Sequence, residues 1–132
     1  MKRLYFLICL FLPLTTLAQQ GSLAYTRLAD SLFQHHHYAD AANYYERALK
    51  NSPDPGSTML NVARSYERMN NIVKAEEWYG KAKASGATFT FIDSYEFAQV
   101  LLMQDKVDEA YKMLSHIPGA DSEESFTHQL LL

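Results

Sequence analysis

Cysteine is almost absent from this sequence, and so are the short motifs that usually mark an enzyme. Its single cysteine, Cys9, lies close to the N-terminus. No phosphate-binding loop, dinucleotide fingerprint or Gly-x-Ser-x-Gly element occurs. The net charge is only −3, and no basic patch favours nucleic acid. These absences predict a non-enzymatic protein without catalytic residues, cofactor, small-molecule substrate or nucleic-acid partner.

The first 18 residues have the pattern of a cleavable signal peptide. Lys2 and Arg3 precede an apolar run from Leu4 to Leu12, and the small residue Ala18 offers a cleavage site. The run is too short for a comfortable membrane span. We therefore expect residues 1–18 to be removed and the mature chain to begin near Gln19. An uncleaved anchor is the alternative.

Cleavage would also change the charge and thiol content of the chain. Removing Lys2 and Arg3 turns 12 basic residues into 10, which face 15 acidic residues for a net charge of −5. Loss of Cys9 leaves no thiol, which suits an oxidising compartment. Lipidation of Cys9 is disfavoured because Ile8 precedes it inside the apolar run. We expect secretion across the inner membrane to the periplasm or outer membrane, with only indirect membrane contact.

A helix–turn–helix pattern organises the rest of the chain. From Asn61 to Lys83, apolar residues recur at helical spacing on both sides of a break at Asn70 and Asn71. The same register returns 34 or 35 residues away on either side. Its matching positions are Ala29, Ala63 and Ala98; Leu28, Val62 and Phe97; Leu32, Tyr66 and Leu101; Ala41, Ala75 and Ala110; and Tyr45, Tyr79 and Leu114.

This register resembles the tetratricopeptide repeat family over residues 22–117. The resemblance implies an all-α solenoid of three helix-turn-helix units, at about residues 22–55, 56–89 and 90–118. A short C-terminal capping helix within residues 119–132 would cover the last unit. The alternative is a chain that stops inside what would be a longer protein.

Polar residues next to the apolar patterns predict the helix starts. Ser22 is expected to cap the first helix, and Ser57 or Thr58 the third. The fifth helix is expected to begin near Ile92 or Asp93. The register also predicts these inward-facing residues outside the matching positions above: Tyr25, Tyr44, Ala48, Leu49, Trp78, Ala82, Tyr95, Val107 and Tyr111.

The family resemblance implies a concave groove lined by the first helix of each unit, where a protein or peptide partner would bind. The candidate groove residues are Leu60, Asn61, Arg64, Arg68, Tyr95, Gln99 and Leu102. Some relatives grip a peptide carboxylate with Lys and Asn at set groove positions. Asn61 matches one such position, but Thr26, Asp30 and Glu96 replace the residues that the clamp needs. The groove therefore suits an extended peptide or a partner helix. A solvated surface without a ligand is the alternative.

Three consecutive histidines, His35 to His37, are the only candidate metal cluster. Adjacent residues at a turn do not converge on one ion, and Asp40 is the only further ligand nearby. The adjacent acidic pairs near helix starts complement the helix dipole. We therefore predict no metal site, and a small metal-binding protein or hydrolase is the least favoured reading.

The signal region and two repeat segments carry a narrower resemblance. The segments YADAANYYERALK and AEEWYGKAKASGA are similar to the N-terminal repeats of large Bacteroidetes envelope proteins. Those proteins join tetratricopeptide repeats to a β-propeller-like segment and an OmpA-like peptidoglycan-binding domain. The resemblance implies an envelope adaptor or, alternatively, the N-terminal fragment of such a larger protein.

Overall fold

A computed structural model describes residues 20–115, and in this range the fold is all-α, as predicted. Residues 20–34 form helix α1. The helices that follow are α2 (Tyr38–Ala48), α3 (Pro55–Arg68), α4 (Ile72–Ala84), α5 (Phe91–Leu102) and α6 (Val107–Ser115). A 3-10 turn, Leu49–Asn51, extends α2. The helices stack as three pairs, α1–α2, α3–α4 and α5–α6, which confirms the helical repeat solenoid.

The turn inside each helix pair has the same geometry. His36, Asn70 and Asp105 occupy one register position, and their φ angles are 63°, 57° and 58°. Non-glycine residues rarely adopt this left-handed conformation, in which Asn, Asp and His are enriched. The residue after each turn donates its backbone N–H to a carbonyl five residues back: His37 to Leu32 (2.9 Å), Asn71 to Tyr66 (2.9 Å) and Lys106 to Leu101 (3.0 Å).

Helix α3 begins earlier than predicted. The Asp54 carboxylate accepts the Ser57 backbone N–H at 3.1 Å, and Pro55 occupies the first helical position. The expected cap at Ser57 or Thr58 is therefore wrong. Proline favours the first turn because its fixed φ is helical and its missing N–H would have no intrahelical partner there.

Helix α5 also begins earlier than predicted, at Phe91 rather than near Ile92 or Asp93. Thr90 caps it, and its side chain accepts the Asp93 backbone N–H at 3.2 Å. The Asp93 carboxylate accepts the Thr90 backbone N–H at 2.7 Å in return. This reciprocal capping box overrides the weak helix propensity of the β-branched and aromatic residues around it.

Two predictions for α1 are wrong. Ser22 does not cap the helix, because residue 20 is already helical; its hydroxyl instead donates to the Ala48 carbonyl at 2.8 Å. Tyr25 and Leu28 are exposed, the latter by 43%. Leu28 shares its register position with the buried Val62, which packs on the preceding helix pair. No described helix pair precedes α1, so its corresponding face is uncovered.

The core follows the predicted small and aromatic positions. At the first junction, between the first and second helix pairs, Val62 packs with Ala29, Ala41 and Tyr45. At the second junction, between the second and third pairs, the Phe97 and Tyr79 rings stack with centroids 5.1 Å apart. The predicted close-approach alanines are fully buried, and these include Ala63, Ala75, Ala82 and Ala98.

The outer side of α6 differs from the prediction. Tyr111 is 73% exposed, and Val107 is also exposed, whereas Met113 is buried beside Ala110. In the second pair, Glu76 holds the register position of Tyr111 and is contacted by residues that follow α5. No described segment follows α6 to do the same. The predicted signal peptide and C-terminal capping helix lie outside the described residues.

Candidate protein-binding groove

The predicted groove residues fall into three structural classes. Leu60 is only 5% exposed and belongs to the core instead of the surface. Asn61, Arg64 and Tyr95 are half-buried, whereas Arg68, Gln99 and Leu102 are exposed. The accessible part of the predicted groove is therefore confined to the ends of α3 and α5, and binding there stays a prediction.

Arg64 is held by three side chains of its own chain. Its Nε donates to Glu96 Oε2 at 2.8 Å, its Nη1 donates to Asn61 Oδ1 at 3.0 Å, and its Nη2 contacts the Asp93 carboxylate. Burial lowers the pKa of Arg64, but the Glu96 hydrogen bond and the Asp93 charge outweigh it and raise the pKa overall. The guanidinium therefore serves as a clamp between α3 and α5.

The cluster continues from Arg64 to a buried tyrosine and a second glutamate. The Tyr79 hydroxyl donates to Glu67 Oε2 at 2.8 Å and lies 3.3 Å from Glu96 Oε2. Burial and the two carboxylates raise the pKa of Tyr79. Burial also raises the pKa of Glu67, against the hydrogen bond from Tyr79. We call Arg64, Asp93, Glu96, Glu67 and Tyr79 the charged cluster.

The charged cluster shows what the sequence analysis missed. It treated Arg64 as a contact for a partner, whereas the Arg64 donors are directed at acids of the next first helix. Asp93 and Glu96 follow Arg64 by 29 and 32 residues, slightly less than one repeat. That spacing places both acids on the neighbouring first helix, and their opposite charge was the signal available.

Arg68 differs from Arg64 in its freedom. Its Nη2 lies 3.9 Å from Glu96 Oε1, at the outer limit for an ion pair, and its side chain is more than half exposed. Gln99 and Leu102 are exposed on α5. In the first unit, the Asp30 carboxylate accepts the Tyr45 hydroxyl at 2.6 Å. Asp30 therefore supports the fold in a position where the carboxylate clamp would need an amide.

The histidines at the first turn have separate local partners. His35 Nδ1 lies 2.7 Å from the Ser31 carbonyl, and His36 Nδ1 lies 2.6 Å from the Tyr38 hydroxyl. Within residues 20–115, no group of three or more His, Cys, Asp or Glu side chains is arranged to hold a metal ion. None of the described helices is both long and apolar enough to cross a membrane.

Comparison with known proteins agrees with this geometry. Residues 26–88 match the family model of the tetratricopeptide repeat, from the middle of α1 to the loop before α5. No curated protein matches the chain. Tetratricopeptide repeats are protein-interaction modules. The match and the stacked helix pairs together support a tetratricopeptide repeat family for this chain.

Proposed function

We propose that this protein is an exported, non-catalytic binding module that docks a protein or peptide partner on its first helices. The observation that carries the proposal is the continuous face of α3 and α5, which Arg64 joins through the Glu96 and Asp93 carboxylates. A rigid joint lowers the ordering cost of binding. Arg68 and Leu102 give this face one cation and one apolar contact beyond the joint.

The chemistry of this face favours an extended peptide or a partner helix over a free carboxylate. Arg64 already has three partners, so a terminal carboxylate would have to displace one of them. The exposed residues offer one cation, one amide and one aliphatic side chain, which suit an amphipathic segment.

The location proposed for this activity is the cell envelope. Its basis is the signal-peptide pattern of residues 1–18 and the similarity of the repeats to Bacteroidetes envelope proteins. The protein would act there as an adaptor in the periplasm or at the outer membrane. The second candidate, an N-terminal fragment of a larger peptidoglycan-associated protein, has the same basis.

A pull-down from envelope extract tests the binding face. The test variant Arg68→Glu with Leu102→Glu adds acid at two exposed groove positions without removing a member of the charged cluster. We expect it to lose specific partners that the wild type retains. Arg64→Glu is unsuitable, because it would place a third carboxylate against Asp93 and Glu96 and disturb the fold.

The matched control is Lys50→Glu with Val107→Glu. It makes the same change in charge and also removes one exposed aliphatic side chain, but at positions away from the groove. Circular dichroism should give equal helicity for all three proteins. A partner list that is unchanged in the groove variant, or lost equally in the control, would contradict binding at this face.

A further inference from the structure

An open cleft lies between α4 and α6, on a different face from the proposed groove. Its volume is about 360 Å³, and Phe97, Leu101 and Met113 provide the apolar part of its lining. Gly80 lies at its wall, where a Cβ would meet nothing within 4 Å. A second opening of about 390 Å³ shares Met113 and Lys83 with the first. The two form one furrow with an apolar base.

The corresponding place at the first junction is filled by large side chains. Tyr66 extends from α3 towards α2, and its hydroxyl donates to Glu46 Oε1 at 2.8 Å. Trp78 packs against the same core cluster as Tyr66. Lys74 covers the Tyr66 ring, with its Nζ 4.8 Å from the centroid. An aromatic ring beneath a lysine therefore completes this junction.

The second junction lacks all three large groups. One repeat later, Leu101 replaces Tyr66, Gly80 replaces Glu46 and Met113 replaces Trp78. Each replacement removes volume at the same place, so the cleft results from three coincident reductions. The Lys83 Nζ lies 3.3 Å from Met113 Sδ, so a cation again stands beside the open space.

We propose that this cleft binds one aromatic side chain, a tyrosine or tryptophan, of a partner protein. The occupant follows from the register comparison, because the missing group is the aromatic ring that the first junction supplies from its own chain. The apolar base would contact the ring face, and Lys83 would approach it as Lys74 approaches Tyr66. This surface is independent of the proposed groove and extends the binding to a second face.

Titration of the full chain with p-cresol, the analogue of a tyrosine side chain, tests the proposal. The readout is the methyl NMR signals of Leu101 and Met113. We expect saturable shifts at both, with a dissociation constant on the order of 1–10 mM, as for a small fragment. Cyclohexanol has the same ring size without π electrons and should bind at least about threefold more weakly.

The variant Gly80→Glu with Leu101→Tyr rebuilds the filled junction and should weaken p-cresol binding by about tenfold or more. Gly80→Glu alone is a second variant, because the open space beside Gly80 accommodates a side chain without disturbing the core. Binding that survives in a folded variant would overturn the proposal, as would equal binding of cyclohexanol. A shift of the Leu101 and Met113 signals by Phe126→Ala, without p-cresol, would assign the cleft to this chain's own C-terminal segment and also overturn it.

Discussion

The two junctions between helix pairs use the same register but different physical chemistry. The first junction is held by apolar packing around Val62 and by the Tyr66 hydroxyl, which donates to Glu46. The second combines ring stacking with the charged cluster, in which Arg64 faces two carboxylates, and it leaves an open cleft. A repeat can therefore keep its helix geometry while exchanging a packed contact for a charged one.

The energetic consequences of the difference are unequal. At the first junction, burial and the Glu46 hydrogen bond raise the pKa of Tyr66 to about 12, so that the phenol stays neutral in ordinary conditions. Its loss removes one hydrogen bond. At the second junction, the Asp93 side chain is only 4% exposed, and its charge depends on Arg64. Loss of the cation would leave buried charge without compensation.

The largest expected effect comes from removing that cation. Arg64→Met should lower the free energy of unfolding by about 3 kcal/mol, because Asp93 and Glu96 would keep their charge in a half-buried site. Tyr66→Phe, the hydroxyl deletion at the first junction, should cost only about 1 kcal/mol. Urea melts measure both. Adding Glu96→Gln to Arg64→Met should recover part of the loss, and equal costs for the two single variants would contradict the contrast between the junctions.

A reciprocal exchange of the filling residues tests the packing difference. Tyr66→Leu should destabilise the first junction by about 2 kcal/mol, because it removes a ring from a filled site. Leu101→Tyr should cost less than about 1 kcal/mol, because the neighbouring cleft gives the ring room that a close-packed core would not. Denaturant midpoints measured under one set of conditions compare the pair. A larger cost for Leu101→Tyr would mean that the cleft cannot accept the ring.

Two glycines provide a smaller contrast. A Cβ at Gly56 would lie 2.6 Å from Ala87 Cβ and 3.0 Å from its Cα, so Gly56→Ala should cost about 1–2 kcal/mol. Gly80→Ala meets open space inside a helix and should gain up to about 1 kcal/mol. Thermal melts of the two variants should shift in opposite directions. A stabilising Gly56→Ala would show that the loop containing Ala87 yields easily.

The smallest expected effect is a pH dependence centred on Glu67. Its pKa is raised in the fold, so the folded chain binds this proton more tightly than the unfolded chain does. The associated stability is present below the unfolded pKa and is lost as pH rises through the folded pKa. Glu67→Gln should therefore gain stability relative to wild type as pH rises from about 4 to about 7.

Glu77→Gln is the control with the opposite sign. Lys81 lowers the pKa of the exposed Glu77, so its contribution is present at higher pH and is lost on acidification. This variant should lose stability relative to wild type over the same rise in pH. Urea melts at several pH values give both differences, and parallel curves for the two variants would refute the assignment for Glu67.

Local features of the sequence were sufficient to predict the helices and their close contacts. The 34- and 35-residue spacing identified Ala29, Ala63 and Ala98 as buried small residues, and all three are buried. Asn70 and Asn71 marked a turn that the left-handed φ of Asn70 confirms. These features depend on helical periodicity and on turn propensity, which act within a few residues of the chain.

The end faces and the groove could not be predicted in the same way. Leu28 and Tyr111 carry the register of packed residues, yet both are exposed in the described chain because burial of those faces requires another helix pair. Leu60 was assigned to the groove but lies in the core. Each of these outcomes depends on what stands beside a helix, and periodicity within the helix does not report its neighbour.

The sequence by itself therefore determined the all-α repeat, its turns and its close-packed alanines, because those follow from local periodicity and residue size. Only the tertiary structure decided that Arg64 clamps α3 to α5 and that Leu101, Gly80 and Met113 leave a cleft. The physical reason is that ion pairing and free volume are properties of side chains about one repeat apart in sequence. They depend on the separation of two helices in space, which residue type alone does not specify.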